Sequence, residues 1–204
     1  MTTEHFEENL VNSAFALAGE KTWAWATPAA AARRAGLDEV EARATFPRCG
    51  GIVARFGEME ERYALTGALT EGPVRDRLFD ILMRRFDFLQ LHRPGVLALL
   101  RFLPLDPPLA LLLARANLAA LGRVLEAAGV PATGLRGALR KRGLALVWAY
   151  AVHAWTKDES ADLAHTMAAL DHALDRADLF AARFDSPVAV APPSPSPGDT
   201  SALA

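Results

Sequence analysis

Apolar residues recur every three or four positions along most of the chain, and no useful stretch alternates between apolar and polar residues. The first pattern is typical of amphipathic helices, whereas strict alternation is typical of strands. We therefore predict an all-α fold. From residue 51 onwards, predicted helices cover residues 51–67, 73–92, 94–103 (a shorter one), 107–128 and 135–155, and a last helix is capped by Asp158.

Three shorter helices are predicted at the start of the chain. The first covers residues 4–18. The second begins with Thr27 as its N-cap and a proline at its first position, and it ends at Gly36, which are the residue types favoured at these places. Asp38 caps the third helix, which ends before the Phe-Pro pair at 46–47 because proline disfavours helix in the preceding residue. Short helices with turns this tight predict a helix-turn-helix unit.

The last two helices carry the strongest apolar pattern. The helix over 135–155 is charged at its start and then apolar on all sides, and the apolar positions of the last helix are spaced by four and three residues, as in a coiled coil. We predict a homodimer that forms a four-helix bundle from these helices. The predicted interface residues are Leu146, Tyr150, Trp155, Leu163, Met167, Leu170 and Leu174. The alternative is that both helices are buried within one subunit.

The composition is that of a globular protein in a reducing compartment. Of the 204 residues, 51 % are hydrophobic and 23 % are charged, so the chain has enough apolar residues to bury a core. A net charge of −2 excludes a general binder of polyanions. The single cysteine, Cys49, excludes an internal disulfide framework and a cysteine-based zinc site, and it fits a cytoplasmic protein.

The sequence predicts no secretion signal, membrane span, enzyme activity, cofactor or metal site. The N-terminus is acidic, where a secretion signal is basic. Charges and prolines interrupt the apolar stretch 97–113, and the uncharged stretch 143–156 has 14 residues, fewer than the roughly 20 that cross a bilayer. No catalytic constellation surrounds Cys49 or Ser160. Four polar residues could be metal ligands, but we interpret them as capping the last helix: Asp158, Glu159, Asp162 and His165.

The run from Thr27 to Leu37 reads TPAAAARRAGL, and Phe46 follows ten residues after its glycine, with Pro47 next to it. In residue types and spacing this run resembles the helix-turn-helix of TetR-family transcriptional regulators. The resemblance implies that the third helix enters the major groove of DNA. It also implies that the last two helices dimerise and that the rest of the helical body holds a small hydrophobic effector.

The resemblance implies two sets of site residues. The candidate DNA contacts are Thr27, Arg33, Arg34, Arg43, Thr45 and Arg48. The candidate wall of the effector cavity is Phe86, Leu97, Leu100, Leu103, Leu113, Asn117, Leu121 and Trp148. Asn117 lies between apolar neighbours, so we expect its amide to make an interhelical hydrogen bond or to contact the ligand. The same alternatives, core packing or ligand contact, hold for Trp148 and His153.

The third helix departs from the family pattern in its charge. It begins with acidic residues at positions 38, 39 and 41, and residues 1–70 hold seven basic and ten acidic side chains, a net charge of −3. DNA affinity normally depends on neutralising several phosphates. The acidic helix therefore counts against ordinary operator binding.

A second resemblance gives an alternative function. The segment 155–162, WTKDESAD, with Thr166 and the Leu-Asp pair at 170–171, is similar to the end of the coenzyme Q biosynthesis accessory proteins. The residues around 46–47 and 55–57 also resemble that branch. Those proteins share the TetR-like fold. The resemblance implies a protein that does not bind DNA and instead holds an isoprenoid lipid.

These observations divide the chain into three regions. We predict a helix-turn-helix domain over residues 1–48 and a helical ligand-binding and dimerisation domain over residues 49–184. Residues 185–204 are rich in serine and proline and contain few large apolar side chains. We predict that they form a disordered tail.

Overall fold

The computed structural model describes residues 2–185, with side chains from 2 to 179. In this part of the chain it has helices and no strand, which confirms the predicted all-α fold. The helices are α1 (Thr3–Glu20), α2 (Pro28–Ala35), α3 (Glu39–Thr45), α4 (Cys49–Leu65), α5 (Val74–Leu91), α6 (Arg93–Phe102), α7 (Pro107–Ala127), α8 (Gly134–Lys157) and α9 (Ala164–Asp185). Single 3-10 turns occupy Trp23–Trp25 and Leu103–Leu105. Asp185, the first residue of the predicted tail, is the last residue of α9. The rest of the predicted tail, residues 186–204, lies outside the described residues.

Helices α2 and α3 begin at the residues that the sequence predicts. The Thr27 hydroxyl accepts a hydrogen bond from the backbone N–H of Ala30 at 3.2 Å, and the Asp38 carboxylate accepts one from the N–H of Glu41 at 2.7 Å. Gly36 ends α2 with a φ of +67°, a left-handed conformation that glycine adopts without strain. The two caps and this glycine define the turn between α2 and α3, so the predicted helix-turn-helix geometry is present.

Helix α1 crosses α6 at a distance that only glycine permits. A Cβ atom at Gly95 of α6 would lie 2.2 Å from the carbonyl oxygen of Phe15 of α1. The Phe15 ring also stacks on Phe56 of α4, with 3.8 Å between the ring centroids. Because α1 packs on α2 as well, these contacts join the first three helices, which we call the head, to α4–α9, which we call the body.

Helix α9 begins at Ala164, later than predicted, because Asp158 caps it across a turn. The buried Asp158 carboxylate accepts hydrogen bonds from the backbone and hydroxyl of Ser160 and from those of Thr166, the last two at 2.8 and 2.7 Å. Burial by itself raises the pKa of Asp158, but these hydrogen bonds outweigh it and hold the pKa well below its usual range. The predicted capping role is thus confirmed, and the described residues contain no group of His, Cys, Asp and Glu arranged for a metal ion.

The apolar seam of α9 faces the inside of the subunit. Four residues of the predicted dimer interface are at most 4 % exposed within a single chain, namely Trp155, Leu163, Leu170 and Leu174. For these four the prediction was wrong, because α8 and α5 pack against α9 and cover the seam. A heptad-like spacing indicates a buried face and cannot tell a neighbouring helix of the same chain from a partner. The other three remain exposed: Leu146 at 74 %, Tyr150 at 53 % and Met167 at 41 %.

Helix α7 is apolar on two sides but is covered on only one. It is the one described helix whose length and composition would allow it to cross a membrane, with a mean hydropathy of 1.4 over its most apolar part. Only a third of that apolar part is buried. Arg123 pairs with Glu61 of α4, and Asn117 accepts a hydrogen bond from Arg85 of α5 at 3.0 Å. One side of α7 is therefore fixed to the body, and much of its other side is exposed apolar surface.

Candidate functional site

The head brings two of the predicted DNA contacts together at one carboxylate. Arg33 of α2 donates to Glu39 Oε2 at 2.8 Å, and Arg43 of α3 donates to the same oxygen at 3.3 Å. Both arginine side chains are more than half exposed. Glu39 therefore lies between two guanidinium groups on the solvent face of the helix-turn-helix.

A second carboxylate holds a third predicted contact. Arg34 makes a bidentate pair with Glu20 of α1, with N–O distances of 2.7 and 2.5 Å. The hydrogen bond from Arg34 lowers the pKa of Glu20. Three of the four predicted arginine contacts are thus matched by acidic side chains of the same chain.

The remaining predicted DNA contacts differ in their surroundings. Thr27 uses its hydroxyl to cap α2, and Thr45 is half-buried at the end of α3. Arg48 is exposed at the N-terminus of α4 and makes no ion pair within residues 2–179. It is the one predicted arginine contact that carries an uncompensated charge in the described part of the chain.

The body contains a buried ionic cluster. Arg85 of α5 and Glu60 of α4 are 4 % and 5 % exposed. Arg85 Nε and Nη2 donate to the two Glu60 carboxylate oxygens at 2.5 and 3.1 Å, and Nη2 also donates to Asn117 Oδ1 of α7 at 3.0 Å. The indole ring of Trp148 of α8 faces the guanidinium carbon at 4.1 Å. Four helices of the body therefore meet at one arginine.

This arrangement compensates a charge that would otherwise be costly to bury. A bidentate carboxylate and a cation–π contact offset the loss of hydration of the guanidinium group. One of its nitrogens, Arg85 Nη1, is buried and has no hydrogen-bond partner among residues 2–179. Phe86, which is fully buried, stacks on Trp148 with 4.6 Å between the ring centroids. We call Glu60, Arg85, Asn117 and Trp148 the arginine cluster.

The structure brings part of the predicted effector wall to this cluster. Phe86, Asn117 and Trp148 surround Arg85, and Leu121 is fully buried in the core. The interhelical hydrogen bond expected for Asn117 is confirmed. The other predicted wall residues are half-buried against the core, namely Leu97, Leu100, Leu103 and Leu113. His153, for which a buried position was expected, is exposed on α8.

Two surface grooves of the described residues lie elsewhere. One, of about 470 Å³, lies between α1, α4 and α5 beside Met59, Tyr63 and Phe88. The other, of about 390 Å³, lies where α1 meets the junction of α5 and α6, beside His92, whose pKa is lowered by burial. Neither is lined by any of the eight predicted wall residues.

Sequence reasoning missed the carboxylates that hold the arginines. Arg85 stands alone in the otherwise apolar stripe of α5, and a lone charge at such a position signals a buried partner. Glu60 and Glu20 give no comparable signal because their partners are 25 and 14 residues away. Glu39 lies six and four residues from its two partners, and its spacing to Arg43 is that of a pair on one helix face.

No protein-family model matches the sequence, and no curated protein matches it. A crystal structure of a TetR transcriptional regulator from Nitrosomonas europaea is similar in fold, with a TM-score of 0.65 and 18 % sequence identity. The likeness covers 86 % of this chain and 99 % of that one. The chain has a TetR-like fold.

Proposed function

We propose that the chain is a dimeric, ligand-responsive transcriptional regulator of the TetR type. The observation that carries this proposal is the capped α2–α3 turn in a fold that aligns with nearly the whole length of a TetR regulator. In a helix-turn-helix protein the second helix of the motif, here α3, reads base edges, and the neighbouring helix contacts phosphates. Thr45 is the proposed base-reading contact, and Arg33 and Arg43 are proposed phosphate contacts.

The proposed phosphate contacts compete with the head's own carboxylates. Exposed ion pairs such as those of Glu39 stabilise a protein by about 0–1 kcal/mol, so exchanging them for phosphate pairs costs little. Phosphate oxygens then replace Glu39 as acceptors for Arg33 and Arg43. On this proposal Glu39 lowers the affinity for DNA, so that only a DNA site whose phosphates are well placed for Arg33 and Arg43 is bound.

The proposed dimer interface is the exposed apolar stripe of α8 with the neighbouring side of α9. Leu146, Tyr150 and Met167 supply its apolar surface. The charges beside them are mixed, with Arg142 on α8 and Asp171 on α9 both exposed. Mixed charges suit a two-fold interface, in which each patch meets a second copy of itself.

The arginine cluster is the proposed effector site. Arg85 Nη1 offers a buried donor to an acceptor oxygen of an otherwise apolar molecule, and such a ligand would have to enter between α5, α7 and α8. Helix α4 begins directly after the head and carries Glu60 in its fourth turn. A ligand that moves Arg85 therefore also moves α4 and the head, which couples the two sites.

The proposal is tested by selecting bound fragments from genomic DNA and titrating them with the purified chain in a gel-shift assay. We expect a salt-dependent shift that is weakened in Arg43→Ala and retained in Arg136→Ala, which removes an exposed arginine at the start of α8. Affinity that is equally low for every fragment, or equally reduced by both substitutions, would contradict the proposal.

A second candidate function is favoured by the charge of the head. Glu20 and Glu39 hold three of the candidate arginines, and residues 1–70 have a net charge of −3. The second candidate is a TetR-like protein that does not bind DNA and holds a lipid. Native mass spectrometry that finds a co-purified apolar molecule, together with no gel shift, would favour this second candidate.

A further inference from the structure

The exposed side of α7 is apolar where the helix begins. Leu105 in the preceding 3-10 turn is 77 % exposed, and Leu111 and Leu112 in the first two turns of α7 are 55 % and 43 % exposed. Only a third of the apolar window of this helix is buried. A cluster of exposed leucines indicates a surface that contacts another protein, a membrane or a ligand.

These leucines form one patch. Pro108, Leu111, Leu112 and Arg115 are spaced by three, one and three residues, which places them on one side of α7. Leu105 immediately precedes the helix. Leu112 also lies beside the start of α4, because a Cβ atom at Gly50 would be 3.0 Å from Leu112 Cδ2. We call the three leucines the α7 patch.

The charges around the α7 patch are mostly positive. Between residues 93 and 125 the only acidic residue is Asp106, and its carboxylate is occupied in capping α7 through the N–H of Leu109 at 3.0 Å. Arg101 precedes the three leucines in the sequence and Arg115 follows them; both are exposed and make no ion pair within residues 2–179. Arg48, two residues before Gly50, is exposed in the same way.

We propose that the α7 patch docks the protein on an anionic lipid bilayer. The leucines would enter the interfacial region of the bilayer, and the three arginines would lie at the level of the lipid phosphates, where basic residues are attracted. The two parts of the patch thus match the two layers of a membrane surface. This inference is independent of DNA binding and of the effector site.

The charges argue against a second copy of the chain as the occupant. A two-fold interface over the α7 patch would bring Arg101 and Arg115 of one copy towards those of the other, with no free carboxylate to compensate them. The exposed face of α8 and α9 lacks this problem because it carries both signs. A nucleic acid would match the arginines but would leave the three leucines in water.

Vesicle flotation tests the proposal with the full chain. The vesicles are phosphatidylcholine alone or phosphatidylcholine mixed with phosphatidylglycerol. We expect the wild type to float with the mixed vesicles and to bind those of phosphatidylcholine alone weakly. Leu105→Asp with Leu111→Asp is expected to lower the bound fraction by about tenfold or more, because apolar insertion is lost.

The matched control is Leu135→Asp with Leu139→Asp on α8, at positions that are 89 % and 61 % exposed. It makes the same chemical change and is expected to leave flotation unchanged. Arg101→Gln with Arg115→Gln keeps the leucines and is expected to remove the preference for anionic vesicles, which keeps the proposal testable if the first variant does not fold. Equal flotation of the α7-patch variant and its control overturns the proposal. The proposal is also overturned if the wild type floats with neither kind of vesicle. It is likewise overturned if the α7-patch variant is monomeric where the wild type is dimeric and still binds vesicles.

Discussion

The head and the body both contain arginine–glutamate pairs, but those pairs are exposed in the head and buried in the body. In the head, Arg33 and Arg43 share Glu39 in water, with both arginines more than half exposed. In the body, Arg85 and Glu60 form a bidentate pair that is about 95 % shielded from solvent. The exposed pairs are screened and exchangeable, whereas the buried pair cannot lose one member without leaving a charge in the core.

This difference shows where the chain can change partners. Solvent competes for the guanidinium groups of the head at all times, so a phosphate can take the place of Glu39 at low cost. The arginine cluster has no such competitor, and it holds α4, α5, α7 and α8 in fixed relation. The proposed DNA contacts are therefore arginines in exposed ion pairs that can exchange partners, whereas the proposed effector site contains a buried ion pair that cannot.

The largest expected effect comes from breaking the buried pair. Arg85→Leu leaves the Glu60 carboxylate uncompensated, and we expect the free energy of unfolding to fall by about 3–5 kcal/mol. Denaturant unfolding followed by circular dichroism measures this. Arg136→Leu, which removes an exposed arginine, is the control and is expected to change little. If Arg85→Leu also changed little, the buried pair would not hold the body together. Adding Glu60→Leu to Arg85→Leu is expected to restore much of the stability.

A smaller effect is expected at the cap of α9. Asp158→Asn weakens acceptance from Ser160 and Thr166 and is expected to cost about 1–3 kcal/mol at neutral pH. Because folding lowers the pKa of Asp158, its contribution is complete above the ordinary value of 3.8 and is lost as the pH falls towards the lower folded value. The stability difference between wild type and variant therefore shrinks in acid. Glu159→Gln at the adjacent exposed position is the control, and a difference independent of pH would contradict the assignment.

The cap of α2 tests the geometry of the head. Thr27→Ala removes the acceptor for the N–H of Ala30 and is expected to cost about 1 kcal/mol of stability. Thr22 precedes the 3-10 turn and makes no side-chain cap hydrogen bond, so Thr22→Ala is a matched control with little expected effect. Equal melting temperatures for the two variants would show that the Thr27 cap contributes nothing.

The smallest effect on stability is expected in the head's ion pairs. Glu39→Gln removes an exposed partner of Arg33 and Arg43 and is expected to change the free energy of unfolding by less than about 0.5 kcal/mol. Thermal unfolding at low and high salt checks this. A loss comparable with that of Arg85→Leu would remove the distinction between the exposed and the buried pairs.

The sequence predicted local features well because their causes are local. The N-caps at Thr27 and Asp38 and the helix end at Gly36 depend on residues within four positions. The start of α9 was predicted wrongly because Asp158 caps Thr166 from eight residues away, across a turn in which Leu163 adopts a φ of +56°. No pattern of residue types indicates such a turn.

The candidate site was less predictable than the fold for the same reason. The inward position of Asn117 followed from its apolar neighbours, but its partner Arg85 lies 32 residues away on another helix. The seam of α9 was correctly recognised as a buried face, whereas periodicity could not show that α8 and α5 of the same subunit cover it. Long-range pairing decides both cases, and a single sequence does not specify it.

The central claim is that Glu39 withholds Arg33 and Arg43 from phosphates, and the salt dependence of DNA affinity tests it most directly. Fluorescence anisotropy with one selected DNA fragment compares the wild type with Glu39→Gln and Glu41→Gln, which make the same change in net charge on the same helix. We expect tighter binding by Glu39→Gln, with a slope of log affinity against log salt that is steeper by about 1–2 because up to two more phosphates are neutralised. Identical slopes for Glu39→Gln and Glu41→Gln would contradict it.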